Sequence, residues 1–186
     1  MKRVFVLAMA LCLAITITVT GQDLTGKMLT GGYAGYTLGF GDAFFDEDYG
    51  SFKAGISLGG TFHYGINEKM MIGGELGFQS YKSEVKLPAI LGGSTSETNT
   101  RINILFNGLY AINYTDDENA FFVTAGGGFY GGEDSEFGIF GGIVYRKMVS
   151  ETIGAYVMPR FHYVMADPAM TMLQIAVGVQ IPLGSE

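Results

Sequence analysis

The chain has 186 residues, 48% of them hydrophobic, 13% aromatic and only 16% charged, with 29 glycines and a single cysteine. Its formal net charge is −7, which argues against nucleic acid as a partner, since that ligand selects basic surface. One thiol excludes a disulfide framework within the chain.

Lys2 and Arg3 open the sequence, the apolar run 4–17 follows, and Val19-Thr20-Gly21 places small residues at the spacing a signal peptidase reads. This pattern predicts a secretory signal peptide over residues 1–21. The run is too short for the ~20 residues of a spanning helix. Cys12 lies inside the run behind Leu11, which is not the small residue a lipoprotein site needs, so the mature chain 22–186 carries no cysteine. Losing Lys2 and Arg3 moves the formal charge from −7 to −9. The remainder, ~165 residues, is enough for one domain.

From there the apolar residues recur with a period of two, the signature of strands with two unlike faces. The first set is Ala34, Tyr36, Leu38 and Phe40. The second runs from Phe52 to Tyr64, the third from Met70 to Phe78, and the fourth from Ile102 to Ile112. A fifth covers Phe121 to Phe129, a sixth Phe137 to Tyr145, and a seventh Ile153 to Tyr163. The eighth is the closing MLQIAVGVQIPLG, with Leu173, Ile175, Val177, Val179, Ile181 and Leu183 on one side. Each segment suits the ~9–11 residues of a tilted membrane strand. Pro159 falls mid-strand and cannot donate a ladder bond, so a bulge is expected there.

The connections differ by rim. Asn67-Glu68, 113–119 and 148–151 read as polar turns on one rim. On the other rim lie 42–51, 83–98, 131–136 and 166–170, which include the two longest. Short turns on one side and long loops on the other is the asymmetry of an outer-membrane barrel, and it puts both termini in the periplasm. Tyr64, Tyr110 and Tyr145 beside the short turns, with Tyr163 toward the other rim, would form the aromatic girdle.

The second face of the strands decides between membrane and water. It carries Lys53, His63, Glu75, Gln79, Arg101, Asn103, Asn107, Arg146, Arg160, His162, Gln174 and Gln180, spaced by glycines such as Gly55, Gly59, Gly73, Gly77, Gly142 and Gly178. A water-exposed face would be densely charged. This one fits a crowded interior, with the apolar face toward lipid. Lipid satisfies no free backbone group, so eight such strands must close. At eight, side chains fill the lumen, which argues against a diffusion porin. The fold class is therefore all-β, a closed eight-stranded antiparallel transmembrane β-barrel.

The signal peptide, the eight alternating segments, AGGGFYGG at 125–132 and the closing VGVQIPLG together resemble the small eight-stranded outer-membrane barrels: the OmpA transmembrane domain, OmpX and the opacity-type proteins. The similarity spans about residues 29–184. It implies an integral, monomeric outer-membrane protein without cofactor, in contact with membrane lipid and free to meet a surface partner through its outer loops. Two departures stand out. Those barrels commonly finish on an aromatic residue, whereas this chain finishes Leu183-Gly184-Ser185-Glu186, and no peptidoglycan-binding domain follows the barrel.

Three groups of residues invite a chemical reading. Glu75, Arg101 and Arg160 with Gln79, Asn103, Asn107 and His162 are expected to form a lumenal polar network, structural because buried charges must pair. His63 and His162 raise the alternative of a lipid-modifying enzyme, but His162 has Arg160 and Val164 as same-face neighbours instead of a serine, so no catalytic residue is assigned. Asp46 and Asp48 stand two apart in DAFFDEDYG, yet a calcium loop would need Glu at position 57, which is Ser57, so no metal site is assigned. A second alternative is a soluble periplasmic barrel holding a lipid-like ligand, with the apolar faces turned inward.

Overall fold

A computed structural model describes residues 23–40, 51–86, 94–115, 119–131, 135–150, 152–167 and 169–183. The predicted signal peptide over residues 1–21 and the acidic stretch 42–50 lie outside the described residues. Eight strands follow one another: β1 (Met28–Phe40), β2 (Ser51–Gly65), β3 (Met70–Lys86), β4 (Ser94–Thr115), β5 (Asn119–Gly131), β6 (Glu136–Ser150), β7 (Ile153–Val164) and β8 (Met170–Leu183). Each pairs antiparallel with its sequence neighbour, and β8 returns to β1, from Met28 opposite Leu183 to Phe40 opposite Thr171. Closure leaves no free edge, the condition for a sheet in lipid.

The two faces have the polarity that the alternation predicts. Leu76, Phe106 and Phe161 are 61%, 64% and 60% exposed on the outside, and outward Ile, Leu, Val, Phe and Tyr residues recur on every strand. A soluble monomer rarely exposes a contiguous apolar patch beyond a few hundred Å². Here the apolar surface circles the barrel, which makes lipid its solvent. The soluble alternative fails on this point: Ile175 is 47% exposed whereas Gln174 is fully buried.

Several boundaries differ from the sequence reading. β1 begins at Met28, because 28–31 pair with both β2 and β8. The 83–98 loop is largely ladder: β3 reaches Lys86 and β4 starts at Ser94, with Glu84 opposite Ser96 and Val85 opposite Thr95. Backbone pairing does not depend on apolar side chains, and Val and Thr favour strands. On the other rim, Asn113, Tyr114 and Thr115 pair with Phe121, Ala120 and Asn119 after a register shift next to Ile112, so that turn is shorter than 113–119. The bulge expected at Pro159 is absent. β7 keeps one register against β8 throughout and one register against β6 from Val164 down to Gly154. Instead, the pairing of Pro159 and Met158 with β6 is skipped.

The interior is stacked in layers. Nearest the rim of the termini, Leu24, Leu29, Met71, Leu109, Phe122, Val144 and Met158 belong to one apolar cluster. Toward the opposite rim, Tyr81, Leu105, Tyr130, Phe140, Val164, Met170 and Met172 form another. The buried Glu75–Arg160 pair and Gln174 lie between them.

Candidate functional site

Strand parity and height place the central polar layer. Glu75 is the inward residue midway along β3, Arg160 its counterpart on β7, and Gln174 sits beside Arg160 on β8. Arg160 spans the lumen to grip Glu75 with both terminal nitrogens: Nη1 donates to Oε2 at 2.5 Å and Nη2 to Oε1 at 2.8 Å. The pair is withdrawn from solvent, with side-chain exposures of 0% and 1%. A bidentate guanidinium–carboxylate pair is the geometry that best offsets such desolvation. The Tyr33 hydroxyl donates to Glu75 Oε1 at 2.5 Å, and the rings of Phe140 and Tyr33 face the Arg160 guanidinium at 5.0 and 5.8 Å.

Gln174 extends the layer, and its orientation follows from Arg160, which can only donate. Gln174 Oε1 accepts from Arg160 Nη2 at 2.6 Å and from Nε at 3.2 Å, so its Nε2 is the group that donates to Ser57 Oγ at 2.8 Å. The same oxygen lies 3.2 Å from His162 Nε2. That ring nitrogen must therefore carry the hydrogen, leaving Nδ1 to accept from the Tyr130 hydroxyl at 2.6 Å. Both nitrogens of His162 are thus engaged by Gln174 and Tyr130.

The predicted site residues separate by height. Glu75, Arg160 and His162 come together through Gln174. Arg101 does not join them: it lies near the far rim and pairs with Glu136 at 3.3 Å. Gln79 accepts from the Tyr81 hydroxyl, which also points at Met172 Sδ. Asn107 meets His63 Nε2 at 3.1 Å, nearer the rim of the termini. Asn103 is buried, and its carbonyl oxygen meets no donor among the described residues. Tyr33, Tyr130 and Ser57 are members of the layer that the sequence reading did not include, although each has inward parity.

Glycine makes room for these large groups. A Cβ on Gly59 would lie 2.5 Å from the Tyr33 ring, and one on Gly142 would lie 2.8 Å from Arg160 Cγ. Tyr33 and Arg160 lie where the neighbouring strand has no side chain, a packing reason for glycine on the inward face.

Catalytic chemistry would need more than two histidines. Among the described residues, no serine hydroxyl or carboxylate oxygen hydrogen-bonds either imidazole, so the general-base and nucleophile pairing of a hydrolase is not assembled at His63 or His162. Among the same residues, no group of three His, Cys, Asp or Glu side chains could hold a metal ion.

The closed eight-strand fold recurs in known structures. The chain has the fold of the small eight-stranded outer-membrane barrels. Neisserial surface protein A superposes with a TM-score of 0.58 at 11% identity, covering 84% of this chain and 97% of that one. The outer membrane protein OprG of Pseudomonas aeruginosa gives 0.56 at 13% identity, over 90% and 100%. Ail, the attachment invasion locus protein of Yersinia pestis, gives 0.51 at 11% identity, over 86% and 99%. At these identities the likeness is one of fold. No family model matches the sequence. No curated protein matches it either.

Proposed function

We propose that the protein is an integral, monomeric outer-membrane barrel whose lumen is blocked by its own side chains and whose role is exercised at the cell surface, without enzymatic turnover. One observation carries this reading: the apolar belt faces outward all round a closed barrel while the ionised groups are tied together inside it. A belt of that kind supports residence in lipid. Lumenal side chains held by one another support a structural role for Glu75, Gln79, Arg101, Asn103, Asn107, Arg160 and His162.

In this reading the leader 1–21 is removed on export and both termini are periplasmic. The 42–51 connection and the tip of the β3–β4 hairpin then face outward, where a surface partner would meet them. Both engaged nitrogens of His162 support a non-catalytic interior.

Heating before gel electrophoresis tests the membrane barrel. The unheated protein, extracted from the outer-membrane fraction with detergent, is expected to migrate differently from the boiled one. A chain recovered from the periplasm without detergent, with one mobility, overturns the reading.

A further inference from the structure

Outside the lumen, one part of the lipid-facing wall departs from the rest. On β7 the outward residues Ala155, Val157 and Pro159 are only half-exposed, whereas their β8 neighbours Val177 and Val179 stand clear of the wall. The recess is a groove of about 440 Å³, floored by Ala155 and Val157 and walled by Tyr145 and Lys147 on β6 and by Val177 and Val179 on β8. Register fixes its layout. Lys147 is opposite Ala155, which is opposite Val179; one pleat farther from the terminal rim, Tyr145 is opposite Val157, which is opposite Val177.

The groove has a charged end and an oily end. Lys147 is exposed, and among the described residues it is the one charged residue that lines the groove. Tyr145, whose hydroxyl donates to Asn119 Oδ1 at 3.0 Å, marks headgroup depth. Two residues nearer the rim, Lys147 stands roughly 7 Å farther out along the strand. Its ammonium therefore lies on the headgroup side of the groove, while Val157 and Val177 carry the groove toward the bilayer centre. A long cation at this depth matches an anion and an acyl groove matches a chain.

We propose that this groove is a binding site for one anionic glycerophospholipid of the leaflet at the terminal rim, with its phosphodiester on Lys147 and an acyl chain along Ala155 and Val157. The proposal rests on the membrane reading above. A second groove, over Gly74, Gly108 and Ala125, is lined without any charged side chain and serves as an internal comparison that should ignore the headgroup.

Native mass spectrometry of the full chain tests this, with phosphatidylglycerol and phosphatidylcholine of identical acyl chains offered together. Retention of phosphatidylglycerol is expected to exceed that of phosphatidylcholine about fivefold, the factor one lysine contributes near an anionic surface. Lys147→Arg should keep that ratio, Lys147→Gln should bring it near one, and Ala155→Trp should reduce retention of phosphatidylglycerol. Equal retention by the wild type, or an unchanged ratio in Lys147→Gln, overturns the site. In either case a heat-dependent gel shift of the same sample keeps the barrel reading, and loss of that shift condemns the barrel reading instead.

Discussion

Arg160 has three kinds of partner inside the lumen: the Glu75 carboxylate, the Gln174 amide oxygen and the Phe140 ring. Removing Glu75's charge would leave a guanidinium buried without its counter-ion, which costs about 3–5 kcal/mol. Glu75→Gln and Arg160→Met are each expected to lower the unfolding free energy read from urea titration by that order. The double variant should lose less than the two single losses together, because neither charge then remains stranded. Additive losses would show that the pair does not act as a unit. This pairing was legible in the sequence, since parity puts both charges inside and buried charges seek each other. Arg101 shows where parity stops. It gives the face of a strand but not the height, and height depends on the register that sets Arg101 opposite Gln79, far from Arg160. Tyr33 and Tyr130 were hidden for another reason: tyrosine on a barrel is easily taken for girdle, although each stands one residue out of step with the outward Ala34 or Phe129.

At the scale of elements, β7 shows how a strand absorbs a proline without an edge or a bulge. The Pro159 carbonyl lies on the β6 side, next to Gly142, so its missing N–H also faces β6, where the pairing is skipped. The ladder thus forgoes one donor and keeps its register. Pro159→Val is expected to restore that donor and to give residue 159 an amide that is protected in hydrogen exchange. The midpoint of unfolding should scarcely move, because a hydrogen bond of about 0.5–1.5 kcal/mol is offset by about 0.4–1 kcal/mol of added freedom in the unfolded chain. An amide at 159 exchanging like a loop residue would contradict this account. The expected bulge failed because sequence shows only that a donor is lacking, and a sheet can respond by skipping a bond or by shifting. The β3–β4 hairpin illustrates the same limit: polar residues 83–86 looked like loop, but ladder bonds are made by the backbone. Strand number, order and the inward and outward sets were legible because period two acts on every strand and lipid permits only closure.

For the whole molecule, the stacking of the interior decides whether anything passes through. An ion entering from the terminal rim would first meet Leu24, which is buried 1% exposed among Leu29, Met71 and Phe122. The turn that carries it is fastened from below: Gly26 N–H and Gly65 N–H donate to Gly65 O and Lys27 O at 2.9 and 2.8 Å, and Gly26 takes a φ of 74° that suits glycine. Asp23 beside it accepts from the Thr25 hydroxyl and amide, which holds its carboxyl below the usual range. Beyond this cap the ion would meet Glu75 and Arg160, each already neutralised by the other, and then the second apolar cluster around Tyr130, Phe140 and Met172. Shedding water to cross two apolar layers is far costlier than any gain at a paired centre. Purified protein in a planar bilayer with molar potassium chloride is therefore expected to give no step conductance. Regular unitary steps from the wild type would show that the layers part and that the lumen is a path after all.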